Sequence, residues 1–388
     1  MQYRTLGKTG LKVSLLGMGC MRLPFIGGDG NNGVDKEAAI ELIQLAADSG
    51  INYFDTAFGY HGRESEAILG EALAERQKRG EVIFATKQPW WEMPDGDSIR
   101  RNLENTLEKL RTDYIDVYML HRIIPEAWEN IQNEGIFDFF DKFKREGLIK
   151  HIGFSYHGEY ATFTDVVKKY PWEMCMVQQN MLDIDAEVTQ AGLDCAGNAG
   201  LGVTIMEPLR GGGLSYAPAP VKPIYERYEK EHNITRTPTE WAFRHLTNSV
   251  HVSSVVSGMN NAAQLKENVK MFSQPTMLPF CLTDAEKDTI SAAREAYKSI
   301  ISIPCTTCNY CIPCPQGVQI PGIFVNYNDF RMFEHSQQPR RSYMFTSRAG
   351  GDATKCNNCG KCVKKCPQKI NIPQDLQAAH EVLKGWHE

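Results

Sequence analysis

Eight of the twelve cysteines fall in two tight runs near the C-terminus, while Cys20, Cys175, Cys195 and Cys281 are scattered. Cys305-x2-Cys308-x2-Cys311-x2-Cys314-Pro315 is followed, after 41 residues, by Cys356-x2-Cys359-x2-Cys362-x3-Cys366-Pro367. The second run has the spacing by which bacterial ferredoxins hold 4Fe–4S clusters, and two runs imply two clusters. In that arrangement the last cysteine of each run ligates the other cluster. Cys305, Cys308, Cys311 and Cys366 then hold one, and Cys356, Cys359, Cys362 and Cys314 hold the other. Tetrahedral zinc is the competing donor chemistry, because C-x2-C pairs also build zinc ribbons. The Cys-Pro that closes both runs favours iron–sulfur, although the first run is one residue short before its last cysteine. A second set of reactive side chains lies earlier in the chain. Asp55, Lys87 and His121 each end an apolar run, and Tyr60 follows Asp55 in the next loop.

Those residues need a scaffold that sets successive strand ends side by side. Strand-length apolar runs recur at Val13–Met18, Ile51–Phe54, Val82–Ala85, Tyr114–Leu120, Ile149–Phe154, Met174–Val177, Val203–Met206 and Ser253–Val256. Between them lie segments of helical spacing such as Asp35–Ser49, Glu64–Arg79, Ser98–Leu110 and Phe137–Arg145, with Asp35 as an N-cap and Gly50 past the first helix's end. The apolar runs lack strict alternation, as parallel strands covered on both faces do. Eight strands alternating with helices predict a (β/α)8 TIM barrel. The alternative, an open doubly wound sheet, lacks its glycine fingerprint after the first strand, where the chain reads Gly17-Met18-Gly19-Cys20-Met21. In a barrel, polar residues at the C-terminal ends of strands are the candidate catalysts.

Composition narrows the class. A chain of 388 residues with 42% hydrophobic and 23% charged residues excludes disorder, collagen and coiled coil. Its net charge of −5 and pI near 6.1 speak against a dedicated nucleic-acid binder. The opening Met1-Gln2-Tyr3-Arg4-Thr5-Leu6 has no apolar signal region, and there is no run of 18 apolar residues, so no membrane association and a cytoplasmic location are expected. Residues 301–388 carry a net +4 and the remainder −9. That break, near Ile303-Pro304-Cys305, suggests a barrel over 1–300 and an α/β fold completed by a C-terminal ferredoxin-like iron–sulfur domain over 301–388. A helix separating the two cysteine loops is expected within Gly317–Arg331, beginning near Pro321-Gly322.

The stretch Tyr3-Arg4-Thr5-Leu6-Gly7-Lys8-Thr9-Gly10-Leu11-Lys12-Val13-Ser14 resembles the N-terminal hairpin of the aldo-keto reductase family. Asp55, Thr56, Ala57 and Tyr60, with Ser65-Glu66 and Leu69-Gly70 downstream, are similar to that family's longest signature. The resemblance spans roughly residues 1–290, and with the cysteine domain it extends to the subgroup of iron–sulfur aldo-keto reductases. It implies a catalytic tetrad of Asp55, Tyr60, Lys87 and His121. Carbonyl reduction needs a proton donor, and an ordinary tyrosine near pKa 10 donates poorly unless its phenolate is accessible. The Lys87 ammonium is expected to lower the Tyr60 pKa, Asp55 to pair with Lys87, and His121 to orient the carbonyl oxygen.

The resemblance also implies an extended nicotinamide cofactor, NAD(P)H, across the barrel mouth. Ser155, Asn180, Met206, Gly258, Gln264 and Asn268 stand at the matching positions. Several depart from the family pattern: Tyr156 follows Ser155 in place of Asn, Met176 and Gln179 replace a Gln and a Tyr, and Met206 replaces a stacking tyrosine. Gly258 and Gln264 replace the Lys and Arg that often hold a 2′-phosphate, which disfavours NADPH. Trp90 and Trp91 either wall a substrate pocket or pack a loop. The expected function is an oxidoreductase that interconverts a small-molecule carbonyl and an alcohol, accompanied by two 4Fe–4S clusters. The alternative is a ferredoxin-like electron-transfer protein whose barrel is a docking or sensing platform. Lys355, Lys361, Lys364, Lys365 and Lys369 offset cluster charge or steer an acidic redox partner protein.

Overall fold

The structure is a computed structural model that describes residues 1–28, 33–92, 95–133, 135–333 and 335–385. An antiparallel hairpin of β1 (Tyr3–Thr5) and β2 (Lys12–Ser14) opens the chain. Eight parallel strands follow: β3 (Leu16–Gly19), β4 (Tyr53–Asp55), β5 (Ile83–Gln88), β6 (Ile115–Ile123), β7 (Ile149–Tyr156), β8 (Met174–Gln178), β9 (Gly202–Met206) and β10 (Val252–Ser257). They close into a barrel in the order β10-β3-β4-β5-β6-β7-β8-β9. The eight apolar runs of the sequence are therefore the barrel staves, with one correction. Val13–Met18 is not a single strand but is divided between β2 and β3. Ser14 makes the break: its hydroxyl donates to the Leu16 carbonyl at 2.7 Å, and its N–H donates to Asn52 Oδ1 at 2.6 Å.

Side-chain alternation along the staves fills the interior with Tyr53, Ile83, Ala85, Val117, Met119, Met174, Met176 and Val256. Leu6 and Val13 from the hairpin join the same cluster, each with no exposed surface. Burying each side chain of that size stabilises by about 1.5–3 kcal/mol, so the pair ties the hairpin to the barrel. Helices cover the outside at the places the spacing predicts: Lys36–Asp48, Ser65–Lys78, Gly96–Leu110 and Ile136–Arg145. Asp35 caps the first, accepting from the Ala38 N–H at 3.1 Å, and Gly50 lies past its end at φ +89°. Thr86 donates to Glu66 Oε1 at 2.7 Å, which fixes helix Ser65–Lys78 against β5.

The chain forms two compact units, Met1–Pro208 with Ala242–Thr283, and Leu209–Trp241 with Asp284–Glu388. The first holds the barrel. The second combines the segment after β9 with the C-terminal cysteine region. Within it, Arg210 Nη2 lies 2.9 Å from Asp329 Oδ1, and the Tyr297 hydroxyl donates to the Tyr216 carbonyl at 2.8 Å. Helices Ile320–Met332, Gln338–Arg348 and Ile372–Leu383 build its core around Ile320, Phe324, Tyr343, Leu376 and Leu383. The first of these is the helix expected between the cysteine runs, with Pro321 in its first turn. Among the described residues of 301–385 there is no strand. Asn328 pins the incoming chain: its Oδ1 accepts from the Ser302 and Ile303 N–H groups, and its Nδ2 donates to the Ile303 carbonyl.

Gly70 permits close approach of helices Ser65–Lys78 and Gly96–Leu110, since a Cβ there would sit 2.3 Å from the Lys109 carbonyl oxygen. Gly70→Ala is expected to destabilise the barrel by about 1–3 kcal/mol through overpacking against backbone that cannot yield. Thermal and urea melts check this; unchanged stability would show that the helices separate without cost.

Candidate functional site

The tetrad residues come together through strand register. Asp55 on β4 pairs with Ala85 on β5, and Lys87 lies two residues further along, on the same inward-facing parity. Lys87 in turn pairs with Met119 on β6, and His121 again lies two residues further. Each neighbouring strand thus raises its functional residue by one inward-facing position at the C-terminal rim. Tyr60 arrives separately, from the short turn Tyr60–Arg63 after β4, where His61 and Gly62 take left-handed backbone.

Lys87 is 1% exposed. Its Nζ donates to Asp55 Oδ1 at 2.7 Å and to the Thr56 carbonyl at 2.6 Å, and it reaches Tyr60 Oη at 3.5 Å. Burial pulls the Lys87 ammonium toward neutrality, but Asp55 and Tyr60 outweigh it and raise its pKa, so the charge is kept. Burial raises the Asp55 carboxyl, with Lys87 opposing. Burial also raises the Tyr60 hydroxyl, and this outweighs the lowering by Lys87. The expectation of a lowered Tyr60 pKa is thereby corrected, because removal from water costs the phenolate more than one ammonium at 3.5 Å returns. Tyr60 is a protonated phenol with a cation beside it. His121 lies edge-on to Tyr60 with ring centroids 6.1 Å apart, and burial followed by the Lys87 charge holds it well below the ordinary histidine range. It is a neutral imidazole, and its Nδ1 has no hydrogen-bond partner among the described residues. Trp91 packs 5.2 Å from the His121 ring, and Trp90 Nε1 donates to the Arg122 carbonyl at 3.4 Å.

The remaining expected positions are less uniform. Ser155 Oγ, near the end of β7, accepts the Arg122 N–H at 2.7 Å and keeps its own proton to donate. Asn180 is buried and occupied with its own loop: Oδ1 accepts from the Leu182 and Asp183 N–H groups at 2.9 Å, and Nδ2 donates to Asp183 at 2.9 Å. Met206 ends β9 opposite Gln178 of β8. Gly258 and Gln264 lie where β10 leads into helix Ala262–Phe272; Asn261 caps that helix by accepting the Gln264 N–H at 3.0 Å. Asn268 faces inward and donates to Ser257 Oγ at 3.3 Å. A Cβ on Gly258 would touch the Arg22 side chain at 3.0 Å, so glycine lets Arg22 pack against this edge.

Two rim residues carry no signal in the sequence. Arg122 and Glu207 both take left-handed backbone, at φ 53°, directly past His121 and Met206. Glu207 approaches Arg22 at 3.4 Å and bears electrostatically on Tyr60. Such strained positions cluster at functional sites and are invisible without coordinates.

The cysteines line two hollows. One is bounded by Cys305, Cys308, Cys311 and Cys366 with Ile320, Phe324 and Ile370; the other by Cys314, Cys356, Cys359 and Cys362 with Val318, Ile320 and Leu376. The loops bend around the hollows through left-handed residues Thr307, Asn309, Asn358, Gly360 and Lys369. Burial, together with neighbouring cysteines, pushes the Cys305, Cys311 and Cys362 thiols up. Four thiolates facing one apolar hollow require a cationic core, and an iron–sulfur cubane supplies it. Among the described residues no three His, Cys, Asp or Glu side chains meet as a single-ion site. Four cysteines around each apolar hollow are the donor set a 4Fe–4S cubane takes.

The Aldo/keto reductase family profile matches residues 15–278, and a 4Fe-4S dicluster domain profile matches residues 304–371. An uncharacterized oxidoreductase of Bacillus subtilis, YqkF, is 29% identical over 70% of this chain and 90% of its own. L-galactose dehydrogenase of Arabidopsis thaliana is 28% identical over 69% of this chain and 87% of its own. Among solved structures, the holo form of the aldo-keto reductase AKR11C1 from Bacillus halodurans superposes with a TM-score of 0.63 at 27% identity, covering 76% of this chain and 97% of its own. No helix among the described residues is long and apolar enough to cross a membrane. With its closed barrel and its paired cysteine runs, the chain belongs to the aldo/keto reductase family, as an oxidoreductase with a C-terminal 4Fe–4S dicluster domain.

Proposed function

We propose that the barrel interconverts a small-molecule carbonyl and its alcohol, with Tyr60 as the proton donor and acceptor. The observation that carries this reading is the buried Lys87 Nζ, 2.7 Å from Asp55 and 3.5 Å from Tyr60. A nicotinamide cofactor, when bound, supplies or accepts the hydride at the carbonyl carbon. Ser155, the helix start from Gly258 to Gln264, and Asn268 are the residues to hold it, and the holo form of the Bacillus halodurans relative supports a bound cofactor. Asn180 serves this less directly, since its amide already braces its own loop.

Reduction leaves negative charge on the carbonyl oxygen. Tyr60 transfers its hydroxyl proton to that oxygen, and Lys87 stabilises the phenolate left behind. Asp55 keeps Lys87 in place, and neutral His121 orients the oxygen beside Tyr60. Trp91 borders the same space. A docking platform without chemistry has no use for a buried ammonium, which favours an enzyme over a purely electron-carrying protein.

The two cysteine hollows hold 4Fe–4S clusters with crossed ligation, and the functional division follows 1–300 and 301–388. Clusters pass one electron and hydride carries two, so the clusters exchange electrons with a partner and do not enter the hydride step. Exposed thiolate-ligated clusters suit the reducing cytoplasm.

Four outcomes test the proposal. Tyr60→Phe is expected to lower carbonyl-reductase turnover by about 10²–10⁴-fold with iron content unchanged. Because burial raises the Tyr60 pKa, its proton is present at neutral pH and is lost only above about 10. The kcat/KM for reduction should stay flat to that range and then fall; a fall near pH 7 assigns the proton to another group.

Asp55→Asn leaves the Lys87 charge without its counter-ion and is expected to cost about 3–5 kcal/mol in stability. The double change Asp55→Asn/Lys87→Met should cost less than the single one, as chemical denaturation would show; a double variant as unstable as the sum refutes the pairing.

Cys314→Ala should spoil the cluster built on Cys356, Cys359 and Cys362, not the one beside it in sequence. Anaerobic iron counts and paramagnetic resonance decide this, with Cys366→Ala as the reciprocal case. Damage confined to the Cys305, Cys308 and Cys311 site would rule out crossed ligation.

A further inference from the structure

The two hollows differ in charge. Residues 299–328, which supply Cys305, Cys308, Cys311 and Cys314, contain no charged side chain. Residues 353–374, which supply the other four cysteines, contain Lys355, Lys361, Lys364, Lys365 and Lys369 and no Asp or Glu. All five lysines are exposed, and among the described residues none enters an ion pair. They flank the hollow of Cys314, Cys356, Cys359 and Cys362 in the chain, and Cys359 is exposed. Lys361, Lys364 and Lys365 share the short helix Lys361–Lys365, where like charges three and four residues apart repel one another.

A cluster with four thiolates carries roughly −2, so the five lysines exceed the charge of the hollow they flank by about three, and that of both clusters together by about one. An excess of one sign at an exposed redox edge attracts partners of the opposite sign. Residues 353–374 contain no Phe, Tyr or Trp, so the stacking partners of a single-stranded nucleic-acid site are missing from this stretch. Ile320 lines both hollows, so an electron arriving at one has a short path to the other.

We propose that the lysine-flanked Cys359 edge is the docking port for an acidic one-electron carrier protein. This rests on the reading that the hollow holds a 4Fe–4S cluster. The transfer is balanced with a carrier such as flavodoxin: its anionic flavin hydroquinone loses one electron and becomes the neutral semiquinone. The oxidised cluster gains that electron and becomes one unit more negative. No bond and no proton moves.

The test mixes the full chain anaerobically with reduced flavodoxin in a stopped-flow instrument at low and high salt, with iron counts and midpoint potentials measured alongside. The second-order rate is expected to fall about 10-fold or more as salt rises. Lys361→Gln/Lys364→Gln/Lys365→Gln should lower the low-salt rate by a similar factor and flatten the salt dependence. Lys78→Gln/Lys168→Gln/Lys298→Gln should leave the rate unchanged. If the first variant loses iron, Lys355→Gln/Lys369→Gln, outside the short helix, carries the same expectation at smaller size. Wild-type protein without cluster signal overturns the cluster reading itself. Full iron with a rate indifferent to salt and to these lysines overturns the port alone. So does a shifted midpoint potential at wild-type rates, which assigns the lysines to charge balance. Lysine-dependent binding to anionic vesicles or duplex DNA, without lysine-dependent electron transfer, overturns it as well.

Discussion

An ammonium group inside a barrel is expensive to keep charged, and Lys87 keeps its charge with 1% of its surface exposed. The Asp55 carboxylate and the Thr56 carbonyl make that tenable at 2.7 and 2.6 Å. Strand register delivers both, because β4 and β5 place Asp55 and Lys87 on one inward face, two residues out of step. The same stagger carries His121 to the rim from β6. Tyr60 then finds a cation within 3.5 Å and a neutral imidazole at its edge. An apolar residue at 87 would leave Asp55 as the buried, unpaired charge, so the arrangement stands or falls as a unit.

The cysteine unit solves a related problem by other means. Its ligands come from loops, and left-handed residues such as Asn309, Asn358 and Gly360 bend those loops around the hollows. A helical core of Ile320, Phe324 and Leu376 holds the loops in place. Barrel and cysteine unit both gather charge where water is scarce. The first balances it within the protein; the second requires an inorganic core.

Much of this was legible in the sequence for identifiable reasons. Parallel strands buried on both faces leave continuous apolar runs, so all eight staves were visible. Asp35 marked a helix start because a side-chain acceptor there meets an orphan N–H. Cysteine spacing encodes cluster geometry directly, and the hollows group the eight cysteines as that spacing predicts. The misreadings have physical causes too. Val13–Met18 looked like one strand because Ser14 breaks it by a local hydrogen bond, which leaves no trace in hydropathy. The lowering pull of Lys87 on Tyr60 is legible in the sequence, but the larger opposing effect of burial is not, because burial depends on packing from distant segments. Asn180 is a different case: it stands at a motif position, and its bracing of Leu182 and Asp183, two and three residues away, shows only in the structure. Left-handed backbone at Arg122 and Glu207 breaks no composition rule, so only coordinates reveal it.

If the Lys87-supported Tyr60 site serves carbonyl chemistry, hydride passes directly to the carbonyl carbon. Isotope transfer addresses this most directly: anaerobic turnover of a small aldehyde or ketone with a nicotinamide cofactor deuterated at C4, followed by mass spectrometry of the alcohol. Deuterium is expected on the carbinol carbon, formed rapidly by the wild-type protein and far more slowly by Lys87→Met. Cofactor oxidation that leaves no deuterium in the alcohol, or wild-type transfer rates in Lys87→Met, would contradict it.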